Sequence, residues 1–190
     1  MRKSHFFWVS AVQTKANETD GANFWIEVTS GMRWERLLKE GVTLMAPNTT
    51  RYRHFFEGMK SGDFVLHYLT ASLTSQKEKR SSVVGVSLVA SDPALVEKKI
   101  VAGCSNTLEL PKPISCNELR GLKQKSTLLR KLVEFSMQRY LTRISRSDFG
   151  LVIDAHPANK RRFSKTPLAR QLQTRSENRG QEPPQRRTPK

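Results

Sequence analysis

Two short apolar runs constrain this chain more than anything else in it. Phe64–Leu69 (FVLHYL) and Val83–Val89 (VVGVSLV) are rich in β-branched and aromatic residues and flank a charged loop at 71–82. Each has the length and content of a strand, so together they predict a hairpin. Gly85 inside the second run marks a bulge or a close backbone approach. Further runs repeat the theme. His5–Val12 (HFFWVSAV) and Phe24–Thr29 (FWIEVT) read as strands, and Lys99–Val101 and Thr107–Leu110 as shorter ones. Pro111 and Pro113 read as a break.

Between the strands the periodicity turns helical. Met32–Glu40 puts Trp34, Leu37 and Leu38 on one face and ends at Gly41. Thr50–Met59 spaces Tyr52, Phe55, Phe56 and Met59 as a helix does, and Lys60–Asp63 reads as a turn. Thr43–Asn48, with Pro47, and Arg139–Ser145 read as extended. Ser115 or Asn117 is a possible cap for a helix through Leu122. Leu128–Phe135 has a helical apolar pattern, and Ser147 is a candidate cap for a final turn carrying Phe149, Leu151 and Val152. Short strands with helices inserted between them predict an α+β or barrel class rather than a βαβ repeat.

A length of 190 residues suits one domain with a tail. No apolar run approaches the ~18 residues of a membrane helix. Only Cys104 and Cys116 are present, so a disulfide scaffold is excluded and both read as small apolar fillers. No secretory leader is apparent, and a cytoplasmic setting is expected.

Charge needs placing. Lys and Arg number 33 against 17 Asp and Glu, a net charge of +16. The pI of about 10.4 is the footprint of a nucleic-acid binder. Residues 156–190 hold ten basic and two acidic residues, five of the nine prolines and one aromatic, Phe163. That composition predicts a disordered basic tail behind a domain at 1–155, which keeps the remaining +8.

Catalytic signatures are absent: no nucleophile elbow, phosphate loop or dinucleotide fingerprint occurs. His5, His54, His67 and His156 are isolated, so neither a metal nor a cofactor is expected. The aromatics Trp8, Trp25, Trp34, Tyr52 and Tyr68 all fall in the first 70 residues, where they serve either as core or as stacking faces for bases.

The order of motifs from Phe24 to Val89 resembles the EVE domain, a PUA-like relative of the YTH and ASCH domains. The strand Phe24–Ser30, the turn Ala46-Pro47-Asn48 and the exit Met59-Lys60-x-Gly62-Asp63 into Phe64–Tyr68 carry the likeness. So do Val83–Val86 running on to Asp92-Pro93, then Leu110–Leu119 and Ser145–Ile153, and the match covers 24–153. Leu44 stands where members often carry Trp. His5–Val12 resembles the opening strand too, which would give Trp8 and Ser10 the roles of Trp25 and Ser30. The ASCH signature read from Gly31 falls on Arg33, Arg36 and Leu38, and lacks its acid and final base.

The resemblance implies a small curved PUA-like β-barrel of five to six strands with peripheral helices. It implies a non-enzymatic module that accepts one flipped, modified base of DNA or RNA. Trp25 and Trp34 are then the walls, Ser30 and Asn48 the edge readers, and Tyr68 a wall or donor. His67, on the opposite face of that strand, is held in reserve. Arg51, Arg53, Lys60, Lys77, Lys79 and Arg80 are candidate phosphate contacts. A restriction or RNA-processing system is a possible protein partner. The alternative is a nuclease or nucleotide-modifying enzyme using Asp63 and His67, although Asp63 also reads as a turn cap.

Overall fold

The computed structural model describes residues 21–41, 43–70, 79–122, 126 and 140–177. The expected strand His5–Val12, the helix at Leu128–Phe135 and Lys77 lie outside these residues.

The strands are β1 (Phe24–Thr29), β2 (Thr43–Pro47), β3 (Phe64–Leu69), β4 (Ser82–Val89), β5 (Ala94–Val96), β6 (Lys99–Ser115) and β7 (Leu141–Ile144). They form one curled sheet in the order β2-β6-β4-β3-β1-β7, with β5 paired to β6. The expected β3–β4 hairpin is present, with a register shift between His67 and Tyr68. β1 and β3 run parallel, pairing Trp25 with Val65 and Thr29 with Leu69. Six helices are interleaved among the described residues: α1 (Gly31–Glu40), α2 (Thr50–Phe56), α3 (Cys116–Leu122), α4 (Arg146–Asp154), α5 (Pro157–Ser164) and α6 (Pro167–Glu177). This is the α+β, curved-barrel architecture of a PUA-like domain. None of these helices is long and apolar enough to cross a membrane.

Strand alternation sorts the side chains onto two faces. The outer face takes Phe24, Ile26, Phe64, Leu66 and Tyr68, covered by Phe149, Val152, Phe163 and Leu168 from α4–α6. Phe149 touches three rings there, with centroids 5.0 Å to Phe24, 5.6 Å to Phe64 and 5.9 Å to Phe163. Each such pair adds roughly 0.5–1.5 kcal/mol beyond its buried area. The inner face is apolar at both ends. Trp25, Leu44, Phe56, Met59 and Val65 fill one end under α2. Trp34, Leu37, Leu69 and Val84 fill the other under α1.

Several local expectations are corrected. Lys99–Val101 and Thr107–Leu110 belong to one strand, because β6 runs straight through Pro111 and Pro113. The β4–β6 ladder skips from Gly85–Glu109 to Val83–Ile114, so neither proline lacks a donor the ladder needs. The Lys112 backbone between them is held by the Asn159 carboxamide instead, at 3.0 and 2.8 Å. α2 stops at Phe56, short of Met59, before Gly58 at φ +76°. α4 is capped by Ser145 rather than Ser147, with Asp148 completing a capping box. Ser115 and Glu118 make the same reciprocal bonds at α3.

The stretch from His156 expected to be disordered is helical over Pro157–Ser164 and Pro167–Glu177. α5 and α6 fold against the sheet, with Phe163 and Leu168 buried in the outer-face core. Averaging over the whole basic segment hid a few apolar anchors at helical spacing, each helix opened by a proline. Residues 178–190 lie outside the described residues.

Candidate functional site

Midway along the barrel the inner face turns polar. Glu27 follows inward-facing Trp25 by two positions on β1, and His67 and Ser87 meet it from β3 and β4. None of the three has any exposed surface. His67 Nδ1 lies 2.8 Å from Glu27 Oε2, and Nε2 lies 2.6 Å from Ser87 Oγ. Unpaired, such groups would be costly in the interior; here each has its partner. The order Ser–His–carboxylate matches a hydrolase relay in geometry. In this conformation all three side chains are closed off and form one buried polar layer.

The layer extends to the edge of the barrel. Tyr140 is fixed by its backbone carbonyl, which accepts from Val28 N at 2.8 Å. Its hydroxyl donates to Glu27 Oε1 at 3.0 Å and accepts from Met45 N at 2.9 Å. Arg33, projecting from the first turn of α1, donates to the carbonyls of Met45 and Thr43 and to the Tyr140 hydroxyl, each at 3.2 Å. Its guanidinium lies 5.7 Å from the Tyr140 ring centroid and 3.7 Å from Glu27 Oε1. β2 and β7 are the two ends of the sheet path, so these two side chains close a seam that no backbone ladder closes among the described residues. Burial, then the neighbouring Glu27 charge, holds the Tyr140 hydroxyl well above its ordinary value. Burial likewise pushes the nearby Cys104 thiol up to about 12.

The α1 end of the barrel adds a second observation. β1 and β3 finish side by side, and Ser30 caps α1 by accepting from Arg33 N at 3.3 Å. Trp34 packs 4.8 Å from the His67 ring and is 1% exposed. A Cβ on Gly85 would stand 2.4 Å from the Trp34 ring, so the glycine is there for the indole. Trp34 Nε1 and Thr29 Oγ1 are buried with no hydrogen-bond partner among the described residues.

Against the expected site, the structure brings Ser30, Trp34 and His67 together. Trp25 belongs to the opposite end, where its indole donates to Asp63 Oδ2 at 2.9 Å. Tyr68 faces the outer core, and burial, with Cys116 beside it, raises its hydroxyl to about 12. Of the His67–Tyr68 pair it is thus His67 that shares a face with Trp34. Asp63 accepts from Asn23 N at 2.8 Å and Lys60 N at 3.0 Å as well, and so closes the turn into β3. Asn48 and Arg53 pair at 2.6 Å on a separate open groove of about 380 Å³ between α2 and the β5–β6 hairpin, floored by Phe56 and Ile100. Arg51, Arg53 and Lys60 are exposed around that end. Arg80 is exposed beside β4, while Lys79 pairs with Glu109 at 2.5 Å. Sequence reasoning missed Glu27, Ser87 and Tyr140, and took Arg33 only as part of an unmet signature. One signal was legible: Glu27 is a lone charge in the inward phase of FWIEVT.

A mixed sheet curled into a half-barrel, with helices over one face and at both ends, defines a PUA-like fold, the fold of the EVE domains this sequence resembles. Two solved structures share it. Rpa0253 from Rhodopseudomonas palustris is 11% identical, with a TM-score of 0.53 over 70% of this chain and 92% of that one. Atu2648 from Agrobacterium tumefaciens is 18% identical, with a TM-score of 0.50 over 73% and 96%. Human THYN1, solved in complex with 5-methylcytosine-containing DNA, is 16% identical and scores 0.47 over 69% and 95%. At these identities the likeness is one of fold. No family model and no curated protein matches the sequence.

Proposed function

We propose that the chain is a non-catalytic nucleic-acid-binding module that holds one flipped, modified base at the α1 end of the barrel. The observation that carries this reading is the pair of unpartnered polar atoms, Trp34 Nε1 and Thr29 Oγ1, buried where β1 and β3 end beside the Arg33–Tyr140 seam. A buried donor left unpaired costs about 1–3 kcal/mol, which a ligand acceptor restores. Trp34 supplies the stacking wall and its N–H reads a base edge. Arg33, with 24% of its side chain exposed, offers donors at the rim. Trp34 is closed off in the free protein, so binding moves the first turn of α1 away from the strand ends. The net charge of +16 supplies attraction to a polyanion whatever its sequence.

The test is a titration with short DNA and RNA oligonucleotides, unmodified or carrying 5-methylcytosine, 5-hydroxymethylcytosine or N6-methyladenine. The expected result is a preference of about tenfold for one modification, equivalent to roughly 1.4 kcal/mol. Trp34→Phe, which keeps a ring and removes the N–H, abolishes the preference while Trp25→Phe keeps it. Equal binding of all oligonucleotides overturns the pocket. Absence of binding to any of them overturns the module.

A further inference from the structure

We infer that α5 and α6 form a second, sequence-independent contact surface that lies along the phosphate backbone of a nucleic acid. The inference rests on the nucleic-acid reading above but not on its pocket. Residues 157–174 carry Lys160, Arg161, Arg162, Lys165 and Arg170 and no Asp or Glu. The described residues up to His156 carry 14 basic against 11 acidic side chains and are close to balance. The unopposed charge of the described structure is therefore concentrated on these two helices. Lys160 pairs with Asp154 at 2.9 Å. Arg161, Arg162, Lys165 and Arg170 are exposed, and none has a carboxylate partner among the described residues.

The arrangement is held rigidly. Asn159 clasps the Lys112 backbone through both ends of its carboxamide, while Phe163 and Leu168 anchor the two helices in the outer-face core. At about 100° per residue, positions 161, 162 and 165 fall within roughly one third of the helix circumference. Arg161 and Arg162 lie in the last turn of α5, where the helix dipole favours a cation, but two other placements are unfavourable for a bare surface. Arg161 and Lys165 are like charges four apart, across the end of α5, and repel. Arg170 sits in the first turn of α6, where the helix dipole disfavours a cation. A row of phosphates offsets both penalties at once, and guanidinium groups match phosphate geometry.

The experiment compares the full chain with Arg161→Gln/Arg162→Gln/Lys165→Gln, binding an unmodified DNA duplex over a series of salt concentrations. The triple variant is expected to bind about tenfold more weakly at low salt, with the slope of log affinity against log salt shallower by about 2–3. Modified and unmodified duplexes lose the same factor. Arg161→Lys/Arg162→Lys/Lys165→Arg keeps the slope, and matching thermal melts of all three proteins exclude misfolding. A triple variant with wild-type slope overturns the inference while leaving the module intact. A wild-type chain that binds no duplex and no RNA overturns the module instead. Loss of binding to phosphatidylserine vesicles, with nucleic-acid binding unchanged, assigns the surface to lipid and also overturns the inference.

Discussion

The two ends of the barrel carry one tryptophan each, and they are built on opposite rules. At the α2 end, Trp25 donates its indole N–H to Asp63, which also gathers the backbone of Asn23 and Lys60. At the α1 end, Trp34 is just as buried, yet its N–H meets no partner among the described residues. Both rings fill volume, but only one end is satisfied. An end with every polar atom paired gains stability and has nothing to offer a ligand. An end with a spare donor carries a cost that binding relieves.

Four measurements break or sharpen this contrast. The largest effect is expected from Asp63→Ala, which strands the buried Trp25 N–H and the part-buried backbone N–H groups of Asn23 and Lys60 at once and costs about 3 kcal/mol or more in urea unfolding. A loss under about 1 kcal/mol would mean that the α2 end is no better paired than the other. Next comes Gly85→Ala, whose methyl group meets the Trp34 ring at 2.4 Å. Overpacking of this kind costs about 1–3 kcal/mol, and pairing it with Trp34→Leu recovers part of the loss in a double-mutant cycle.

A finer test removes only the indole N–H. Trp25→Phe and Trp34→Phe shed similar volume, but Trp25→Phe also abandons a hydrogen bond to a carboxylate. It is expected to cost about 1–2 kcal/mol more than its counterpart, and equal losses in the unfolding series would erase the distinction. The last test is alkaline. Cys104 packs against both inner clusters, and burial raises its thiol from 9.0 to about 12. The folded state holds this proton more tightly, so the contribution is complete below pH 9 and is lost as pH rises toward 12. Unfolding midpoints fall across that window, and Cys104→Ala flattens the decline.

How much of this the sequence displayed follows from the kind of signal each feature leaves. β1, β3, β4 and α1 were legible because alternation and helical spacing are local. Gly85 was legible as a close approach, though not what approaches it: Trp34 is remote in sequence. The unity of β6 was hidden, since a side chain from α5 stands in where a neighbouring strand is expected. α5 and α6 were hidden by composition, because so few anchors hold so many charges. Of the three residues grouped from the sequence, Trp34 and Ser30 lie at the α1 end and Trp25 at the α2 end. Two tryptophans on sequential elements look equivalent in a string of letters, and only the curl of the sheet sends them to opposite ends.

The seam between β2 and β7 has a geometric consequence. In a barrel closed by ladders, the bore is fixed by strand number and stagger and changes only in steps. Here Arg33 and Tyr140 span the last gap, so the bore is set by the reach of two side chains. Shortening or lengthening either one adjusts the lumen gradually, with no strand shifted in register.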